Sequence, residues 1–313
     1  MTDKVYIGTR SSELALWQTQ HIKLLIEVIF PGIIIEVQII QTTGDKILDA
    51  PLAKIGDKGL FTKELEIALL DKRIDLAVHS LKDVPTVIPE GLAIGAILER
   101  EDVHDVFIAN PKKANSSFIN LPQNAVIATG SLRRKCQLLS ARPDLQIVDI
   151  RGNLNTRIKK LDESDWDGII LAKAGVMRLG LTHRITEILP LEIMLPAVGQ
   201  GALAIEIRNG DKNIEEVIRT LHHIPTATAV TAERALLRHL EGGCQIPIGA
   251  YGQINGDELQ LDAIIGSLDG RHIVRGTKAG NQNDAERIGI ELAEELLQQG
   301  GKEILEEIRN SLT

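Results

Sequence analysis

Cys244 follows Gly242 and Gly243 in the stretch LEGGCQIPIG, residues 240–249, so its thiol rides a glycine hinge. A structural cysteine more often sits inside an apolar helix or strand, and a thiol on a hinge is placed to be reached. No His and Asp stand at a spacing that would activate it, which argues against a protease and for a stable attachment point. From the loop alone, a free packing thiol stays open as the other reading. Cys136, the one other cysteine, falls at helical periodicity in RRKCQLL and reads as a core thiol.

Basic chemistry concentrates in GSLRRKCQLLSARPDLQIVDIRGNLNTRIKK, residues 130–160, where eight Lys and Arg face two acidic residues, Asp144 and Asp149. Any one of these arginines can be a solvated surface residue. As a group they fall at an expected helix start and just after expected strands, the edges of an α/β sheet where ligands bind. Arginine forks grip carboxylate and phosphate at two points, and the helix after Thr129-Gly130-Ser131 adds free N–H groups. Thr9, Arg10, Ser11 and Ser12 form a similar turn near the start of the chain. Two anion-gripping turns imply a ligand with several negative groups.

DLAVHSLKDVP, residues 75–85, reads as a buried strand emerging at Ser80, Lys82 and Asp83. Asp83 is either a turn residue ahead of Pro85 or a carboxylate at a cleft edge, able to stabilise a positive charge or move a proton. His79 reads as a space-filling strand residue. GDKGLFTKE, residues 56–64, lacks the Walker spacing, and GQG at 199–201 is too short for a dinucleotide site. No His, Cys and Asp cluster has metal spacing, so no metal is expected.

These residues need two scaffolds. VYIGTRSSELALWQTQHIKLLIE reads as strand, Thr-x-Ser turn and amphipathic helix; AVIATGSLRRKCQLLSARP repeats the layout, matching Thr9 to Thr129 and Ser11 to Ser131. Strand–helix alternation used twice predicts two α/β lobes with mainly parallel sheets. Charged residues 97–107 and glycine-bearing residues 195–208 read as two crossings between the lobes, which would let a cleft open and close. Beyond them, IGAYGQI, ELQLDAIIGSL and HIVRGTKAG are separated by the hairpin signals NGD and LDGR and followed by two acidic amphipathic helices. That pattern predicts a smaller C-terminal α+β domain with a three-stranded antiparallel sheet. The predicted domains are residues 1–99 with 200–219, 100–199 and 220–313. Residues 42–59 lack periodicity, as a lid or binding loop does.

A net charge of −8 argues against broad nucleic-acid or anionic-membrane binding, and the arginine-rich stretch has no Phe, Tyr or Trp to stack on bases. Two cysteines without a disulfide framework suit a reducing cytoplasm. The N-terminus reads as a strand without a leader, and IIIEVQII is broken by Glu36 and Gln38 before it could span a bilayer.

Seven stretches together resemble the porphobilinogen deaminase (hydroxymethylbilane synthase) family: GTRSSELALWQ, GDKGLFTKELE, DLAVHSLKDVP, TGSLRRKCQL, RGNLNTR, LPAVGQGALAIE and LEGGCQIPIG. They run in family order from residue 8 to residue 249, and the C-terminal part matches more loosely. The resemblance implies two lobes like periplasmic solute-binding proteins and a third domain bearing the cofactor. It implies that Cys244 carries a dipyrromethane cofactor through a thioether. It implies a transferase that condenses four porphobilinogen molecules, with loss of ammonia, into hydroxymethylbilane.

By motif match, Asp83 would be catalytic, beside the pyrrole nitrogens. Ser80, Lys82, Thr129, Ser131, Arg133, Arg134, Arg151 and Gly152 would hold the cofactor, while Arg10, Ser12, Arg157, Arg178 and Gln200 would bind substrate. Lys54, Lys58 and Phe61 would belong to the lid. Gly130 departs from a frequent serine, and Glu13 from a frequent proline. The resemblance further implies a cytoplasmic monomer, with contact to the next enzyme of the tetrapyrrole pathway open. The rival reading is a non-catalytic two-lobed binding protein for a polycarboxylate.

Overall fold

Alternating apolar residues in KVYIGT build β1 (Lys4–Thr9), and its inward side chains Val5 and Ile7 are fully buried. Ser12 then caps α1 (Glu13–Ile29) by accepting the Ala15 N–H, and Glu13 in the first turn suits the helix dipole. One stripe of α1, Ala15, Gln18, Thr19, Ile22 and Ile26, is buried at helical spacing. β2 (Ile34–Ile39), α2 (Thr43–Lys46), α3 (Lys63–Leu70), β3 (Leu76–Ser80) and β4 (Leu92–Ile97) follow. The computed structural model describes residues 4–46, 59–113, 117–241 and 246–312.

The chain then starts a second sheet with β5 (Asp105–Ala109), followed by β6 (Val126–Ala128), α4 (Leu132–Ala141) and β7 (Gln146–Val148). α5 (Leu154–Glu163), β8 (Gly168–Ala172), α6 (Lys173–Arg178) and β9 (Glu187–Ile188) complete it. Its strand order is β7-β6-β8-β5-β9, with β5 antiparallel to both neighbours. β10 (Leu203–Arg208) returns to the first sheet, whose order is β2-β1-β3-β10-β4, again with the inserted strand antiparallel. Each mainly parallel sheet thus receives one reversed strand from a crossing, a detail that hydrophobic pattern does not encode. The crossings meet where the Glu101 N–H reaches the Gly201 carbonyl at 3.3 Å; a Cβ on Gly201 would fall 2.4 Å from the Glu101 carbonyl oxygen.

Both sheets are covered on two faces, as parallel sheets require. In the first, Val5, Ile7, Val78 and Ile205 meet Ile22 and Ile26, while Ala77 packs with Leu65 and Leu69 on the other side. In the second, Phe107 packs edge-on to Phe118 at 6.3 Å beside Ile127 and Leu138, and Ile108 and Ile169 meet Ile158 and Leu161.

After α7 (Lys212–Ile218) and α8 (Ile224–His239) come β11 (Ile248–Asn255), β12 (Glu258–Gly266) and β13 (Ile273–Asn281), an antiparallel meander. Its turns place Gly256 and Gly270 at φ of 63° and 72°, the left-handed region that the NGD and LDGR signals call for. α9 (Ala285–Leu296) and α10 (Lys302–Leu312) bury Ile288, Leu292, Leu296, Leu305 and Ile308 against this sheet. Contacts group the described residues of Met1–Leu48, Asp57–Glu101 and Gly201–Ala227 into one unit. The second five-stranded sheet and the meander share the other unit, where a Cβ on Gly266 would lie 2.1 Å from the Cys136 sulfur. Burial pushes the Cys136 thiol up to about 12, as a packing thiol requires.

Candidate active site

In the first unit, β1 and β3 are parallel neighbours, so their C-terminal ends open on one edge. Thr9, Arg10 and Ser12 leave β1 there, and Ser80, Lys82 and Asp83 leave β3. Gln18 of α1 ties the two turns by donating to Ser80 Oγ at 2.8 Å. Thr9 is buried and donates to the Ala15 carbonyl at 3.2 Å. The hydroxyl of Ser12 is the helix cap, at 3.3 Å from the Ala15 nitrogen. The serine matched to Ser131 by sequence, Ser11, is therefore not its counterpart; the first turn is one residue longer. Lys82 and Asp83 are exposed on the single turn Leu81–Asp83.

Arg10 does not stand open. Nε and Nη2 donate to Asp45 at 3.1 and 2.5 Å, and the guanidinium carbon lies 4.2 Å from the centre of the Phe61 ring. His79, read as filler, points to the opposite face of β3, where Nε2 lies 2.9 Å from Oε2 of the buried Glu206. Burial also pushes the neighbouring Glu66 carboxyl up.

In the second unit, β6 runs parallel to β7 and β8, so Thr129, Ser131, Arg151 and Gly152 gather at the corresponding edge. Thr129 donates its N–H to Val148 and accepts the Ser131 N–H at 3.2 Å; Ser131 caps α4. Gly130 packs against the other turn so closely that a Cβ would meet the Ile150 carbonyl oxygen at 2.8 Å. Gly152, at φ 115°, takes a conformation only glycine adopts easily, and its carbonyl accepts from Arg157 Nε at 2.8 Å. Burial lowers the Arg151 guanidinium, against the pull of Asp149. Arg178 ends α6, half-buried.

Three residues assigned to ligand by motif meet an internal carboxylate. Asp105 begins β5, and because β5 runs against β8 it arrives beside Ala172 at the ligand edge. Arg133 and Arg134 each reach this fully buried Asp105 at 2.8 Å. Arg133 Nη1 also donates to the Leu195 carbonyl, and Arg134 Nη1 to that of Ile170. Gln200 Nε2 donates to Val103 O at 2.7 Å and Asp105 Oδ1 at 3.0 Å. These are buried side chains held in place, not open arms. Burial alone would raise the Asp105 carboxyl, but the two guanidiniums outweigh it and hold the group far below the ordinary carboxylate range.

Asp105 stands in the crossing, outside any motif, and sequence reasoning missed it; so too Asp45, and Glu233, which accepts the Gly199 and Gly252 N–H groups at 2.7 and 2.8 Å. Arg142, by contrast, leaves the basic cluster: it forks onto Asp144 at 2.8 and 2.7 Å and donates to carbonyls of residues 118–122.

Lys54, Lys58 and Cys244 lie outside the described residues. The described donors still test whether an acidic cofactor fits. Among the described residues two buried guanidiniums face one carboxylate, which leaves a positive charge uncompensated there, and Arg134 Nε is buried without a hydrogen-bond partner. Together with the capped turns at 129–131 and 151–153, this suits carboxylates. Among the described residues no helix is long and apolar enough to cross a membrane.

Comparison with known proteins gives a family. The family model "Porphobilinogen deaminase, dipyromethane cofactor binding domain" matches residues 5–216, and "Porphobilinogen deaminase, C-terminal domain" matches residues 227–298. The porphobilinogen deaminase of Carboxydothermus hydrogenoformans is 55% identical over 99% of this chain and 98% of its own. That of Chlorobium luteolum is 55% identical over 99% and 100%. Among solved structures, the methionine-binding protein MetQ gives a TM-score of 0.45 at 13% identity, over 74% of this chain and 94% of that one, too slight a likeness to bear on function.

Proposed function

The chain belongs to the porphobilinogen deaminase family, and from that premise we propose how its residues divide the work of condensing four porphobilinogen molecules, with release of ammonia, into hydroxymethylbilane. The observation that carries the reading is identity of 55% to deaminases across 99% of the chain. Dipyrromethane, when bound, supplies the point from which the chain of rings extends, and Cys244 is its anchor. Every ring brings an acetate and a propionate, so the protein's task is to hold many carboxylates while one carbon is made electron-poor.

Thr129, Ser131, Arg151 and Gly152 hold acid groups at the second sheet's edge, with Ser80 and Lys82 contributing from the first. Arg133, Arg134 and Gln200 form the floor, where the uncompensated charge around Asp105 favours an anion. Arg10, Ser12, Arg157 and Arg178 take the acids of the incoming substrate. Asp83 places its carboxylate by the pyrrole nitrogen as ammonia leaves, where it stabilises the developing cation and relays a proton. Lys54, Lys58 and Phe61 cover the reacting rings. The division into residues 1–99 with 200–219, 100–199 and 220–313 belongs to this reading, supported by the three separate sheets, as do a cytoplasmic location, a monomeric state and hand-over of product to the next enzyme.

Intact mass spectrometry of the purified chain tests it. The expected mass exceeds that of the polypeptide by two linked pyrrole units, and Cys244→Ser abolishes the excess and turnover together. A bare polypeptide that still consumes porphobilinogen would refute the anchor. A chain that binds polycarboxylates with neither adduct nor turnover would return the rival, a non-catalytic binding protein.

A further inference from the structure

Arg10 leaves β1 at the ligand edge with its guanidinium already engaged by a carboxylate. Asp45 meets it at two points, Nε to Oδ2 at 3.1 Å and Nη2 to Oδ1 at 2.5 Å. Asp45 is itself held, accepting the Thr42 hydroxyl at 2.7 Å. The short helix α2 that carries it is pinned by the Gly44 N–H to the Leu60 carbonyl at 2.9 Å, and by Thr43, whose N–H and hydroxyl reach Glu64 at 2.9 and 2.5 Å. Phe61 closes the arrangement from below: a Cβ on Gly44 would fall 2.2 Å from its ring. This is a built contact rather than a chance surface pair.

Burial would raise the Asp45 carboxyl, yet its hydrogen bonds to Arg10 and Thr42 outweigh that and hold it below the usual range. It is an anion at neutral pH. The pair nonetheless keeps side-chain exposures of 21% and 19%, unlike Asp105 at 0%. Water and a dissolved carboxylate can reach it. The Nε–Nη2 edge of a guanidinium takes one carboxylate at a time in this geometry.

We propose that Asp45 is an affinity-determining residue: an internal carboxylate that occupies the ligand-facing edge of Arg10 and is displaced by an acid group of porphobilinogen. The proposal rests on the reading that Arg10 binds substrate. Asp45 keeps the guanidinium over Phe61 while the site awaits substrate, and the apparent affinity is multiplied by the fraction of time the edge is free, so the apparent dissociation constant is divided by it. For a pair this exposed the expected factor is roughly three- to tenfold.

The test is steady-state kinetics of the cofactor-loaded Asp45→Asn enzyme, with loading checked by intact mass. KM for porphobilinogen is expected to fall roughly three- to tenfold while kcat moves less than about twofold. The gain should vanish when Asp45→Asn is made in an Arg10→Leu background, because the competitor acts through that guanidinium. A KM that stays or rises in Asp45→Asn overturns the proposal, and so does a gain that survives in the Arg10→Leu background, which would be a general charge effect. Asp45→Ser repeats the measurement if Asp45→Asn folds poorly. Arg10→Leu alone distinguishes the two levels: unchanged KM and kcat would remove Arg10 from substrate binding, and the proposal with it.

Discussion

The two five-stranded sheets share one topology and use it for different electrostatics. Each places two turns on one edge, after β1 and β3 in the first and after β6 and β7 in the second, with a reversed strand inserted beside β3 and β8 respectively. In the first unit the edge arginine, Arg10, meets a carboxylate from a short neighbouring helix, and both remain partly exposed. In the second, Arg133 and Arg134 meet a carboxylate on the inserted strand itself, and all three are buried. Burial decides what an ion pair can do. An exposed pair is weak and exchangeable, whereas a buried one is costly to break and so becomes architecture.

The comparison fails first if Asp105 proves dispensable. Asp105→Ala leaves two buried guanidiniums uncompensated and is expected to cost about 3–5 kcal/mol of stability, read by thermal and denaturant melts. The pH dependence has a definite sign. The Asp105 carboxyl lies lower in the folded chain than its ordinary 3.8, so its contribution is complete above about pH 4 and is lost as pH falls towards the folded value. Asp105→Ala should flatten that acid limb; a variant as stable as the parent at every pH would show that the buried pair is not architecture.

Asp83→Ala is expected to keep the cofactor mass and melting temperature while kcat drops roughly a hundred- to a thousandfold, the usual loss when an electrostatic stabiliser of a transition state is removed. Its contrast with Asp105 is sharp: one acid is exposed on a single turn, the other has no exposure. Near-normal turnover in Asp83→Ala would remove it from the chemistry. Arg151→Leu comes next, with an expected fall in kcat/KM of roughly ten- to a hundredfold from lost charged hydrogen bonds. Unchanged kinetics would make Arg151 a surface residue.

Much of this was legible in the sequence because it is local. Hydrophobic period and turn residues announced both lobes, the NGD and LDGR hairpins and the paired C-terminal helices. Thr9 and Thr129 marked the two turns, although the cap in the first is Ser12 and not Ser11. The reversed strands were illegible: residues 97–107 and 195–208 read only as crossings between the lobes, since apolar pattern says nothing about which neighbour a strand will pair with. Asp105 inherits that blindness, being adjacent to Arg133 only through β5 running against β8. Asp45 sat in a stretch without periodicity. Gly130 shows the reverse case, where a departure from the family pattern has a local cause in the Ile150 carbonyl 2.8 Å from where a Cβ would stand.

The finest distinction lies within the basic cluster itself. Arg142 belongs to it by sequence but spends its donors on Asp144 and on the carbonyls of residues 118–122, so it should be silent in catalysis. Hydrogen bonds from Arg142 hold the Asp144 carboxyl at about 2, below its ordinary 3.8. The folded value is the lower one, so the pair is intact above about pH 4 and is lost as pH falls towards 2. Carboxyl NMR should place the Asp144 midpoint near 2 and move it up towards 3.8 in Arg142→Gln, with KM and kcat for porphobilinogen unchanged. A midpoint near 3.8 in the parent chain would dissolve the pair, and a kinetic defect in Arg142→Gln would return this arginine to the ligand-binding set.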